Sequence, residues 1–393
     1  MPTETAATVW DELTGQSEAI DVFKAAVAAS RAGGADDAAM THSWLITGPP
    51  GSGRSNLAYA FATALLSPGT PDGDAATRAQ VNARSHPDLS VLATERVIIS
   101  IDEVRTLLSS SFYSPSVGRY RVMVIEDADR MTERTSNLLL KALEEPPPRT
   151  VWILCAPSEA DLIPTIRSRV RSVRLRVPDV EQVAELIARR DGIDQATATR
   201  AAREAQSHIG MAHRLATNAD ARARREQTLQ IALGIHSVSD AVMATTSLLA
   251  LAGDDAKAIT EERDAEEREG ALRSLGIEPG GTIPPALRAQ LKNLEEDQKR
   301  RATRSLRDGI DRIMVDLLSL YRDILVIQLG VTSDPINLSI FPDLVTASQS
   351  STPQETLATM DAIATARKRI ESNVTPTLAL EAMLMSARRK ARS

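Results

Sequence analysis

At 393 residues, the chain is longer than a usual single domain, which points to two or three domains with ample core. Its 42% hydrophobic and 25% charged residues, with only 3% aromatic, are ordinary for an alanine-rich, helical globular protein. A net charge of −6 excludes a global nucleic-acid footprint, and a single cysteine, Cys155, excludes an internal disulfide framework and any cysteine-based zinc site.

Met1–Trp10 lacks a basic region followed by an apolar core, no stretch approaches a membrane span, and the cysteine usage suits a reducing cytosol. The chain therefore reads as cytoplasmic, with no membrane partner.

Asp11-Glu12-Leu13-Thr14-Gly15-Gln16 leads to Ser17, a candidate N-cap, and Ile20, Phe23 and Val27 then recur on one helical face as far as Gly33-Gly34. Trp44-Leu45-Ile46 is a short buried strand. It feeds Gly48-Pro49-Pro50-Gly51-Ser52-Gly53-Arg54-Ser55, which follows the G-x-x-x-x-G-K-S/T pattern with arginine in place of lysine. Leu57, Phe61 and Leu65 continue at helical spacing, so the context is strand, glycine-rich turn, helix. In that context backbone N–H groups and the helix N-terminus cradle phosphate oxygens, which makes Gly48, Gly51, Gly53, Arg54 and Ser55 candidate nucleotide-binding residues. Arginine keeps the charge but brings a planar fork on a longer stem. The loop thus reads as scaffold rather than engine.

Residues 67–84, rich in Gly, Pro, Asp and Ala, read as a surface insertion, and His86 behind them as a surface histidine. Leu89–Leu92 is a strand, Ile101–Leu108 opens a helix, and Ser114–Gly118 is a loop. Arg121–Ile125 is a buried parallel strand ending in Glu126-Asp127-Ala128-Asp129. Acids beyond the carboxyl end of such a strand can hold Mg²⁺ or orient a water toward the phosphate loop. The bland alternative is capping and solvated charge; pairing with the upstream loop favours the first, so Glu126 and Asp127 join the candidate site. Thr132 caps a helix through Leu138, Leu139, Ala142 and Leu143 that Pro146 terminates. Val151–Leu154 is another strand, Arg167-Ser168-Arg169-Val170 follows, and Val173–Leu175 closes the sheet.

Beyond Val177, helices are expected at Val183–Ala188, Thr197–Ala205 and Met211–Leu215, and Arg222–Arg225 reads as an exposed linker helix. Asp254–Arg273 and Lys292–Arg307 are charge-dense and read as solvated helix or mobile segment, broken at Gly276–Pro285; phosphate contact by Lys299, Arg300, Arg301 and Arg304 is the rival reading of the second. Leu306, Ile310, Ile313, Leu317, Leu320, Ile324 and Ile327 form a long apolar stripe, core or subunit-interface material.

The run Leu138-Leu139-Leu140-Lys141-Ala142-Leu143-Glu144-Glu145-Pro146-Pro147, followed by Ile163-Pro164-Thr165-Ile166-Arg167-Ser168-Arg169, resembles the clamp-loader branch of the AAA+ family, as found in bacterial DNA polymerase III. The resemblance implies an α/β AAA+ P-loop base domain with a parallel sheet over 1–176, a small helical lid over 177–227 and an all-α collar over 228–393 that holds subunits in a pentameric ring. It makes Gly48–Ser55 the Walker A position, Glu126-Asp127 Walker B, Ala156 sensor 1, His213 sensor 2 and Arg169 the arginine of a Ser-Arg-Cys motif whose cysteine is here Val170. Arg54, Ala156 and His213 depart from the active pattern, each removing or reshaping a group that stabilises phosphoryl transfer. The implied protein is a ring subunit without hydrolysis of its own. It supports loading of the sliding clamp onto primed DNA, docks against motor and clamp-opening subunits, and lends Arg169 in trans to a neighbour's ATP site. Against that stands a solvated run of Arg167, Arg169 and Arg171. No cofactor is then required, although ATP or ADP can sit passively in the loop; the family's four-cysteine zinc module has no counterpart among residues 67–86, so no zinc is expected. The alternative is a working AAA+ ATPase, either a loader motor or a branch-migration-type DNA motor.

Overall fold

Five strands pair in parallel in the order β2–β3–β4–β1–β5: β1 Ser43–Thr47, β2 Leu89–Leu92, β3 Arg121–Ile125, β4 Thr150–Ala156 and β5 Arg171–Arg174. The computed structural model describes residues 8–11, 13–32, 39–94, 97–274, 288–372 and 374–387; the helix end expected at Gly33-Gly34 and the break at Gly276–Pro285 lie outside them. The described chain divides into two compact units, Met1–Thr217 and Asn218–Ser393.

In the first unit the strands alternate between two cores, because successive side chains point to opposite faces of a sheet. Val151, Ile153 and Cys155 of β4 join Val122, Val124, Trp44 and Ile46 on one face. Trp152, Leu154 and Ala156 join Met123, Ile125 and Leu45 on the other. Both faces are covered, as an all-parallel sheet requires. Helices α1 (Ser17–Ala32), α2 (Arg54–Leu66) and α3 (Ala75–Asn82) pack on the first face, where Phe23, Trp44 and Phe61 stack with ring centroids 4.4 to 5.5 Å apart. On the other lie α4 (Ile101–Ser111), α5 (Glu133–Glu144) and the short α6 (Pro164–Arg167). Thr132 caps α5 as its sequence implies, accepting from the Thr135 N–H. Helices α7 (Val180–Asp191), α8 (Gln195–Glu204) and α9 (Ile209–Thr217) complete the unit.

Residues 67–84 lie mostly at the surface, as expected, but they also form an ordered element, α3, capped by Asp74 through the Thr77 N–H at 2.8 Å, with Val81 fully buried. Arg31 ties the start of this segment to α2 by donating from Nη2 to the carbonyls of Ala64, Ser67 and Thr70 at 3.1, 2.8 and 2.7 Å. A guanidinium suits the negative end of a helix, so α2 continues into an ordered turn.

His86 is likewise buried, not superficial, and its Nδ1 accepts from the Asp88 N–H at 3.1 Å. Burial lowers its pKa below the ordinary histidine range. Asp88, itself fully buried, accepts from the backbone N–H groups of Ser116, Val117 and Gly118 and from the Ser116 hydroxyl, at 2.6 to 2.8 Å. Ser85-His86-Pro87-Asp88 thereby clamps the loop that delivers β3.

The second unit contains α10 (Ala219–Leu233), α11 (Val238–Ser274), α12 (Arg288–Gln328), α13 (Phe341–Gln349), α14 (Pro353–Glu371) and α15 (Pro376–Ser386) around one core. Helix α10 runs unbroken through 227/228, where the lid was expected to end. The stripe Ile310, Ile313, Leu317, Leu320 and Ile324 is buried in that core. Tyr321 and Asp323 are buried too, so α12 is covered on a second face. Asp323 accepts from the N–H groups of Ile336 and Asn337 at 3.1 and 2.8 Å.

Arg225 corrects the exposed-linker reading: it is buried, with Nε 3.0 Å from Asp316 and Nη2 2.6 Å from the Asn337 carbonyl oxygen Oδ1. Arg301 is buried beside Asp264 at 2.5 Å, an ion pair between α11 and α12. Among the described residues no helix is long and apolar enough to cross a membrane.

Candidate functional site

The glycine-rich turn joins the carboxyl end of β1 to α2, a helix buried on nearly every side from Leu57 to Leu66. The turn is therefore anchored at both ends. Gly53, at φ 91°, is the N-cap of α2, a left-handed position that favours glycine. Arg54 and Ser55 open the helix, so their N–H groups have no intrahelical acceptor and remain suited to an anion. The Ser52 hydroxyl is buried without a partner. Backbone features of a phosphate cradle are thus present.

The side chains suit such a ligand less well. Arg54 folds back and donates from Nη1 to the Gly48 carbonyl, at the entry of its own loop. Across from it, Glu126 accepts from the Tyr59 hydroxyl of α2 and from Arg84 Nη2 at 2.7 Å. Burial, reinforced by the neighbouring Glu126 charge, pushes the Tyr59 phenol up, so it stays protonated and donates. Arg84 takes a positive φ of 54° and lies 5.9 Å over the Tyr59 ring. Glu126 thus spends its Oε1 on Tyr59 and Arg84, while Asp127 pairs with Arg130 at 3.6 Å. Asp129 has one carboxyl oxygen buried without a partner, and burial, with Asp127 adding, raises its pKa above the carboxylate range. The N–H groups that open α2 suit a phosphate, whereas Glu126 has only Oε2 to offer a metal, because Tyr59 and Arg84 both hold Oε1. Burial also raises the Cys155 thiol, which leaves it inert as a nucleophile.

Ala156 pairs with Thr47 at the end of β4, buried and without a side-chain donor. His213 lies on α9 with Nδ1 2.7 Å from Asp191, a hydrogen-bond partner on α7. The histidine that meets the loop is instead His208, which sequence reasoning did not single out. A Cβ on Gly51 would lie 2.2 Å from the His208 ring, and the Ile209 N–H donates to the Gly51 carbonyl at 3.3 Å. Gln206 and Ser207 deliver it through consecutive positive φ angles of 50° and 62°. Gln16 was also missed: buried before α1, it donates to the carbonyls of Arg176 and Ser52 at 2.9 and 3.5 Å and accepts from the Arg176 N–H. A polar residue directly after a glycine and before an apolar-periodic helix was the only available signal.

Arg169 lies apart, after α6. Its Nε donates to Glu144 Oε1 at 2.6 Å, Nη2 meets the same oxygen, and Nη1 donates to the Thr165 carbonyl and Ser168 hydroxyl at 2.7 and 3.0 Å. The structure thus joins the strand-end Glu126 to Tyr59 of α2 and to Arg84, and puts Arg169 in a separate cluster with the end of α5. Arg171 belongs to neither; it donates to the Ala39 carbonyl at 2.8 Å and lies 5.1 Å over Trp44.

Residues 18–179 match the family model described as DNA polymerase III, delta subunit. The delta′ subunit of DNA polymerase III from Pseudomonas aeruginosa is 32% identical over 154 residues, 38% of this chain and 47% of the relative. That of Haemophilus influenzae is 31% identical over 163 residues, 40% of this chain and 50% of the relative. The gamma/tau subunit of Mycobacterium bovis is 28% identical over 183 residues, 45% of this chain and 30% of the relative. The matched stretch spans about half the length of the delta′ relatives.

Proposed function

From the premise that this chain is a member of the clamp-loader family of DNA polymerase III, delta′- or gamma/tau-like, we propose that it is a subunit that does not hydrolyse ATP itself. It supports ATP-driven loading of the sliding clamp onto primed DNA, beside motor and clamp-opening subunits, and completes a neighbour's ATP site with Arg169.

The observation that carries this reading is Arg54, which spends its charge on the Gly48 carbonyl of its own loop. A lysine there would reach the β and γ phosphates. Glu126, bound by Tyr59 and Arg84, supports the same reading, because charge-neutralising metal contacts supply much of the stabilisation in phosphoryl transfer. ATP or ADP held by the backbone cradle is then a passive occupant.

Arg169→Ala in a reconstituted loader is expected to lower hydrolysis at the neighbouring site by about 10³-fold, read as clamp- and DNA-stimulated ATPase. Unchanged ATPase and clamp loading would remove the finger role. A second reading, a motor subunit, has the gamma/tau similarity in its favour. Basal turnover by the isolated chain that Ser55→Ala abolishes would establish the motor instead.

A further inference from the structure

Glu144 is the last residue of α5, before Glu145 and the prolines that stop the helix. An acid in the final turn faces the negative end of the helix dipole, an unfavourable place that calls for a compensating cation. That cation is Arg169, 25 residues further on. Both Nε and Nη2 of Arg169 meet one oxygen of Glu144, and both Nη1 hydrogens are used, on the Thr165 carbonyl and the Ser168 hydroxyl. The remaining Nη2 N–H is the guanidinium's unused donor.

The anchors around the arginine are rigid. Ser168 and Arg169 donate their N–H groups to the carbonyls of Pro164 and Ile166 at 3.1 and 2.9 Å, and Ile166 is fully buried. The side chains of Arg169 and Glu144 are 31% and 46% exposed, so their pairing adds little to the stability of the fold. Its effect is to order a long, rotamer-rich side chain before any partner arrives.

We propose that Glu144 is the positioning residue for Arg169: its carboxylate holds the Nε and Nη2 edge and so presents the outer end of the guanidinium to a phosphate on an adjacent subunit. The inference rests on the trans role proposed for Arg169. Misplacement of a charge-stabilising group by about 1 Å can cost on the order of 10²-fold in rate.

The test uses the full chain in the reconstituted loader, with clamp- and DNA-stimulated ATPase measured for Glu144→Ala, Glu144→Gln, Arg169→Ala and Glu144→Ala with Arg169→Ala. Expected are a fall in kcat of about 10- to 10²-fold for Glu144→Ala, an unchanged KM for ATP, and an unchanged melting temperature of the chain. Glu144→Gln, which keeps an accepting oxygen at Oε1, recovers most of the rate, and Glu144→Ala has no further effect where Arg169 is already alanine. If Arg169→Ala lowers the rate and neither Glu144 variant does, positioning by Glu144 is wrong while the finger stands. A rate increase in Glu144→Ala also overturns the proposal, because Glu144 then restrains the arginine. If Arg169→Ala itself has no effect, the underlying reading fails first.

Discussion

Asp88 shows how one buried carboxylate organises a loop. Burial alone would raise its pKa, but the N–H groups of Gly118, Ser116 and Val117 and the Ser116 hydroxyl hold it below the usual carboxylate range. Asp88→Ala strands those donors and is expected to cost about 3 kcal/mol, measured by urea unfolding. Because the folded pKa is depressed, the contribution of Asp88 is complete above about pH 4 and is lost as pH falls through its native pKa. The gap between wild type and Asp88→Ala should therefore close on acidification. Gly51 makes a second residue-level case. Its φ is 78° and a Cβ there would sit 2.2 Å from the His208 ring, so Gly51→Ala meets both backbone strain and a clash. A loss of about 2 kcal/mol is expected. Adding His208→Ala should recover the steric part only, since the backbone strain remains.

At the scale of elements, what matters is which segments a single polar group joins. Arg225 links α10 to Asp316 of α12 and to Asn337 in the segment before α13. Removing one partner of a buried ion pair leaves an uncompensated charge, so Arg225→Ala is expected to cost about 3 to 5 kcal/mol; a loss under about 1 kcal/mol by denaturant unfolding would show that the network is slack. The pair between α5 and Arg169 behaves differently because it is half-exposed. Its substitution is expected to move rate and leave stability alone. Basic runs of similar appearance along the sequence thus separate into a buried network at Arg225, an inter-helix pair at Arg301 and an accessible cluster at Arg169.

At the scale of the whole molecule, the chemistry-bearing motifs and the long helices belong to different units. The loop, the strand-end acids and Arg169 all lie within Met1–Thr217, whereas Asn218–Ser393 is built on one helical core. Asp88 and Arg225 lie in different units, so the losses from Asp88→Ala and Arg225→Ala should add within about 0.5 kcal/mol in the double variant. A larger deviation would mean that the units do not respond independently.

The sequence by itself located five strands, the last expected at Val173–Leu175 and found at Arg171–Arg174, together with the glycine-rich turn, the capped helix at Thr132 and the apolar stripe of α12, because each is written in local periodicity or in residues that demand one backbone conformation. It also carried the departures at residues 54, 156 and 213, since these are read position by position. Tertiary structure alone decided where the polar side chains spend their charge. Glu126 is taken by Tyr59 and Arg84, 67 and 42 residues away, and Arg169 by Glu144, 25 residues away. Helix α3, the burial of His86 and the approach of His208 to Gly51 belong to the same class. Side chains such as these have no period to betray their partners; their surroundings exist only once distant segments have been packed together.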